Sequence, residues 1–167
     1  MKRSDSLAAR TLLNVARQRK GNDAELCRVV FEHIDTTATL HAAIHQALAP
    51  FQLSELQFGV LVVLYTLDPD PISAADLATH TAVSRSAMTE ALDHLEQQQL
   101  VSRARDDRDR RIVRVALTPE GRTTVEPATQ SFLHSLTTTT RFIDTATRAS
   151  LLGGYALLQA GADSATA

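Results

Sequence analysis

The chain has 167 residues, 44% of them hydrophobic and 22% charged, which suits one soluble domain with a sizeable core and excludes a disordered or fibrous class. No run of about 18 uncharged apolar residues is present, so no membrane span is expected, and Cys27, the single cysteine, excludes an intrachain disulfide. The formal net charge of −2 argues against nucleic acid as a partner, since basic domains are the usual expectation, but its distribution is uneven. Residues 1–20 carry six Lys or Arg against one acid, and residues 101–114 carry six Arg against three Asp. Residues 21–84 carry Arg28 alone against eight acids. Positive charge gathered into two short segments on an acidic background is the pattern of a local patch that meets phosphates.

In chain order, residues 1–22 read as a basic arm or a short amphipathic helix through Leu7, Leu12, Leu13 and Ala16, broken at Gly21-Asn22. No apolar stretch and small-residue cleavage site follow the basic start, so a secretory leader is not expected, and the cytoplasm is the expected compartment. Residues 23–48 predict a long helix with Leu26, Val30, Ile34 (or His33), Thr37, His41, Ile44 and Leu48 at helical spacing, ended by Pro50. Ser54-Glu55-Leu56-Gln57 has the form of a capping box and opens an apolar helix through Phe58, Leu61, Val62, Leu64 and Tyr65. Asp68-Pro69-Asp70-Pro71 stops it. Ser73, with Asp76 three residues on, caps a short helix over 73–80, and Ser84 caps a longer one to about Gln99.

After Leu100 the period changes to two: Val113, Val115 and Leu117 alternate with Arg114 and Ala116, while Val101 and Arg103 begin a partner strand across a polar turn at 106–110. Thr118-Pro119 restarts a helix, with a bend expected at Pro127. Asp144 caps a last helix weakened by Gly153-Gly154, and residues 161–167 read as a disordered tail. The predicted class is mainly α with a small β-hairpin.

Residues 72–99 form the pattern of a helix-turn-helix: a short helix, a tight turn, and a second helix with one apolar face. Its other face begins Ser84, Arg85, Ser86, Thr89, Glu90, Asp93. Short side chains at Ser84, Ser86 and Thr89 permit close approach to phosphates and base edges, and Arg85 is the candidate charged contact. By itself this is equally the pattern of a plain helical hairpin with a solvated face. The arginine-bearing hairpin tips the balance, because a minor groove draws in arginine. Arg108 is the tip candidate; Arg103, Arg105 and Arg110 are candidates for phosphates, and Asp109 and Arg111 for bracing the hairpin.

Residues 109–121, Asp-Arg-Arg-Ile-Val-Arg-Val-Ala-Leu-Thr-Pro-Glu-Gly, resemble the wing signature of MarR-type regulators, Asp-x-Arg followed by Val-x-Leu-Thr and Gly two residues on. Val83-Ser84-Arg85-Ser86 with Thr89, the run Leu92 to Val101, and Leu53-Ser54-x-x-Gln57-Phe58-x-x-Leu61 are similar to other parts of that family, collinear over about 24–160. The resemblance implies a winged helix-turn-helix domain over 23–160. Its dimerisation helices would be 23–50 and 119–160, its DNA-binding lobe 53–117. It also implies an obligate homodimer on a pseudo-palindromic double-stranded operator, no cofactor, and a response to small molecules, oxidants or metal. Gln99 departs from the family glycine at the exit of the recognition helix, and a left-handed backbone costs Gln more than Gly, so a different wing angle is expected.

For the switch, Cys27 is a candidate redox thiol, although inert packing as a small hydrophobe is favoured. His41 and His45, an i, i+4 pair, are with Tyr65 candidates for an effector pocket; a metal site is not expected, since no Cys or carboxylate stands at matching spacing. No Gly-rich phosphate loop, nucleophile elbow or His-Glu-x-x-His occurs, so an enzyme is not expected. The competing reading is a helical protein-interaction adaptor that reuses the fold without binding DNA, which the acidic net charge keeps open.

Overall fold

The computed structural model describes residues 5–19 and 23–166. The expected break at Gly21-Asn22 and the cations Lys2, Arg3 and Lys20 lie outside them.

Of the two readings of the N-terminus, the structure takes the helix. Helix α1 (Leu7–Gln18) is capped by Ser6, whose hydroxyl accepts from the Ala9 N–H at 3.2 Å. It buries Ala9 and Leu13 and packs on α2, but leaves Leu7 and Leu12 exposed. Helix α2 (Ala24–Leu48) starts at Asp23, whose carboxylate accepts from the Glu25 and Leu26 amides. Only Leu48 of the predicted stripe is buried; Leu26, Val30 and Ile34 face outward. A 3-10 turn through Pro50 (Ala49–Phe51) then leads to α3 (Glu55–Leu67).

At α3 the capping box forms as expected. The Ser54 hydroxyl accepts from the Gln57 N–H, and the Gln57 amide oxygen accepts from the Ser54 N–H at 2.8 Å. Helices α4 (Ala74–His80) and α5 (Arg85–Gln97) make the helix pair. The turn between them closes with Val83 N–H on the Ala78 carbonyl and Ala82 N–H on the Thr79 carbonyl, Ala82 being left-handed at φ 53°. The exit of α5 repeats this closure. Leu100 N–H reaches the Leu95 carbonyl, Gln99 N–H reaches that of Glu96, and Gln99 stands at φ 60°. Gln99 therefore adopts the left-handed turn itself. Its Cβ carries strain, while buried Leu95 and Leu100 seal the closure.

Strands β2 (Val101–Arg105) and β3 (Val113–Leu117) pair antiparallel, Val101 opposite Leu117 and Arg105 opposite Val113. Sequence reasoning missed a third strand, β1 (Ile72–Ser73), which pairs with β3 and places β3 in the middle. Two residues show no period, so alternation cannot reveal such a strand. Helix α6 (Pro119–Thr140) runs unbroken through Pro127 and is tied to α2 by Ser131, whose hydroxyl donates to the Ala47 carbonyl at 2.8 Å.

The predicted disordered tail is corrected: helix α7 spans Thr145–Thr166, so residues 161–166 continue it. The core lies within the winged lobe. Leu61, Leu77, Met88, Leu92, Leu95 and Val115 are fully buried there, closed by Leu48 of α2 and by Val125 and Ala128 of α6. Helix α7 buries none of its described side chains. Among the described residues no single helix is long and apolar enough to cross a membrane.

Candidate nucleic-acid interface

The site is built from α5 and the wing. Met88, Ala91, Leu92 and Leu95 seat one face of α5 in the core, which turns Ser84, Arg85, Ser86 and Thr89 outward. Ser84 is also the cap, accepting from the Ala87 N–H at 3.2 Å and sharing a 2.9 Å hydroxyl contact with Ser86. The Thr89 hydroxyl donates back to the Arg85 carbonyl, so its free lone pairs face solvent. Arg85 lines a groove of about 510 Å³ between α5, the start of α4 and the wing, with Thr89, Arg111 and Arg114 among its other walls.

The wing tip is held by Asp106, a residue sequence reasoning left out. Its Oδ1 accepts from the Arg108 and Asp109 amides at 2.9 and 3.0 Å, and its Oδ2 from Arg114 Nε at 2.7 Å. An Asp whose carboxylate meets the amides two and three residues on is an Asx-turn, and that spacing was readable in Asp106-Asp107-Arg108. The Arg114 hydrogen bond, and then the two amides, hold the Asp106 carboxyl down to about 2 from an ordinary 3.8. Asp109 binds Arg111 through Nε and Nη2, at 3.1 and 3.0 Å, and also accepts the Arg111 amide. That side-chain bond lowers the Asp109 pKa.

These pairings sort the wing's arginines. Arg111 and Arg114 are bound within the wing, and Arg103 turns back to Asp93 and Glu96 of α5. Arg103, expected on phosphates, is therefore held by two carboxylates. Arg105, Arg108 and Arg110 are exposed and, like Arg85, form no ion pair among the described residues.

Acid should loosen this tip at a definable pH. A depressed folded pKa means the ionised Asp106 stabilises the wing above about pH 4 and ceases to do so as pH falls toward about 2. The expected Asp106 titration midpoint, followed by carboxyl NMR, is near 2; a midpoint near 4 contradicts the bracing.

The expected effector residues do not converge on any of the three grooves described. His41 is exposed and its Nδ1 lies 2.9 Å from Glu55 Oε1, while His45 and Tyr65 also stand exposed and line none of these grooves. Two grooves, of about 630 and 440 Å³, instead run between α2 and α7 and share His33, Tyr155 and Leu158. His33 and Tyr155 touch there, with ring centroids 5.3 Å apart. Cys27 is half-buried in the first turn of α2. Among the described residues no three His, Cys, Asp or Glu groups converge as metal ligands.

The MarR family model matches residues 53–113, from the entry to α3 to the first residue of β3. No curated protein matches the chain in sequence. Among solved structures, the transcriptional repressor CouR bound to a 23-mer DNA duplex is 27% identical, with a TM-score of 0.65 over 77% of this chain and 90% of that one. MepR of S. aureus in its DNA complex is 21% identical, with a TM-score of 0.67 over 80% and 96%. BpsR of Bordetella bronchiseptica, whose DNA binding is regulated by 6-hydroxynicotinic acid, is 24% identical, with a TM-score of 0.61 over 96% of both chains. Each of these likenesses spans at least three quarters of this chain. Residues 53–113 thus match the MarR family model, and the chain that carries them has a winged helix-turn-helix fold similar to that of MarR-type transcriptional regulators.

Proposed function

We propose that the chain is a ligand-responsive repressor that binds a pseudo-palindromic double-stranded operator as a homodimer in the cytoplasm. In this reading α5 enters the major groove, with Ser84, Arg85, Ser86 and Thr89 toward the bases, and each wing lays Arg108 over the adjacent minor groove. Arg105 and Arg110 meet phosphates.

The observation that carries the reading is the sorting of the wing's charges. Asp106 and Asp109 pair with Arg114 and Arg111, which leaves exposed Arg105, Arg108 and Arg110 around the tip against exposed Asp107, a net positive excess. Random solvated charge would pair more evenly. A homodimer is supported by the apolar outer faces of α2 and α7, which a second copy would cover. A small-molecule effector is supported by CouR, solved with p-coumaroyl-CoA, and by BpsR. Cys27 remains an alternative switch, tested by comparing operator binding of wild type and Cys27→Ser after an organic hydroperoxide.

Operator fragments selected from genomic DNA test the DNA contacts. Arg108→Ala is expected to weaken binding about tenfold and to reduce the slope of log K against log [salt] by about 2 for the dimer, since each arginine that neutralises backbone charge, from within the groove as Arg108 would, contributes about 0.9. Arg85→Ala is expected to cost about 1–3 kcal/mol on the cognate fragment and little on scrambled DNA. An unchanged slope for Arg108→Ala removes Arg108 from the contact.

A further inference from the structure

Two acids on a helix that approaches DNA need an explanation, because each repels phosphate. Asp93 and Glu96 stand three residues apart on α5, on one face of the helix. Both reach Arg103 on β2. Arg103 Nη1 lies 2.7 Å from Asp93 Oδ1, Nε donates to Glu96 Oε2 at 2.9 Å, and Nη2 meets the same Glu96 oxygen. At 24% exposure the Arg103 side chain is the most enclosed of the ion-paired arginines described. The Glu96 hydrogen bond is the largest of the influences that raise its pKa.

We propose that Asp93, Glu96 and Arg103 form a clamp that sets the angle between recognition helix and wing, which makes Arg103 a positioning residue rather than a phosphate ligand. The inference rests on the DNA-binding reading above. A two-stranded ribbon is marginal on its own, and its tip reaches a neighbouring groove only if its base is aimed. Asp106 and Asp109 brace the tip within the wing. Arg103 is the side chain whose ion pairs, among the described residues, cross from the wing to α5. Its planar fork lets one side chain hold two carboxylates, which a lysine ammonium cannot do with the same geometry.

The full chain carrying Asp93→Asn and Glu96→Gln tests the clamp. Electrostatics alone predicts tighter DNA binding, because two negative charges leave each chain. The clamp predicts binding about tenfold weaker, and less than a threefold further loss when Arg103→Ala is added. Tighter or unchanged binding, or a full additional loss from Arg103→Ala, overturns the proposal. Should the double variant fail to fold, Arg103→Lys keeps the charge and breaks the fork. It is then expected to bind about tenfold weaker, whereas near-wild-type binding favours a phosphate ligand and overturns the clamp. Hydrogen exchange of the DNA-free protein separates the two readings. The clamp predicts at least tenfold faster exchange at residues 101–105 in the double variant, and unchanged exchange sinks it whatever the DNA result. Failure of the wild-type chain to bind DNA sinks the functional reading instead.

Discussion

Gly121→Ala is expected to destabilise the chain by about 3 kcal/mol, the upper end of the usual cost of overpacking. Gly121 is buried in the first turn of α6, where a Cβ would overlap the Leu100 carbonyl and press on the Leu117 side chain. That carbonyl cannot retreat freely, because it accepts the Thr118 N–H at 3.1 Å. Thr118 in turn caps α6 by accepting from the Gly121 N–H at 3.0 Å, and its hydroxyl donates to the Gln99 carbonyl at 2.6 Å. One added methyl therefore pushes apart the exit of α5, the end of β3 and the start of α6. Urea unfolding measures the effect; a loss under about 1 kcal/mol would show that the joint yields.

The second large effect is expected from Val30→Glu combined with Leu152→Glu. On an isolated chain these sites are exposed, Val30 at 42% and Leu152 at 64%, and such substitutions usually move stability by no more than about 0.5 kcal/mol. In a dimer that covers α2 and α7 they bury carboxylates without partners, at several kcal/mol each. The surface argues for the dimer. Leu26, Val29, Val30 and Ile34 of α2 and Leu151, Leu152, Tyr155 and Leu157 of α7 are all exposed, and Val29, Val30, Leu151, Tyr155 and Leu157 among them line the grooves between the two helices, more bare apolar surface than soluble monomers usually leave. The double variant is expected to sediment as a folded monomer and to lose operator binding at least a hundredfold. A dimer of unchanged affinity would place the interface elsewhere.

How much of this was legible in the sequence depends on where the information lay. Caps at Ser54, Ser73, Ser84 and Thr118 were readable because capping is local, and each formed. The hairpin was readable from its period, but β1 was not, since its pairing with β3 is a long-range fact. The stripe on α2 was read as a helical face; that it is bare in one chain depends on what the fold leaves uncovered. The C-terminal tail was misjudged from its small residues, though Ala162 and Ala165 sustain helix and α7 continues to Thr166.

At the interface, residue types located the arginines, but pairing decided their roles. Arg103 and Arg110 look alike in sequence; only the approach of α5 gives Arg103 two carboxylates. Asp106, whose turn signature was present, showed its reach to Arg114 only once β3 was placed beside it. The histidines carried no fixed geometry in sequence, and the structure sets His41 against Glu55.

The most direct measurement is the mass of the complex formed with a selected operator duplex, followed as salt is raised. The expected species holds two chains on one duplex and dissociates steeply, with a slope of log K against log [salt] of about −4 or beyond, as several arginine–phosphate contacts require. One chain per duplex, or binding indifferent to salt, would contradict it.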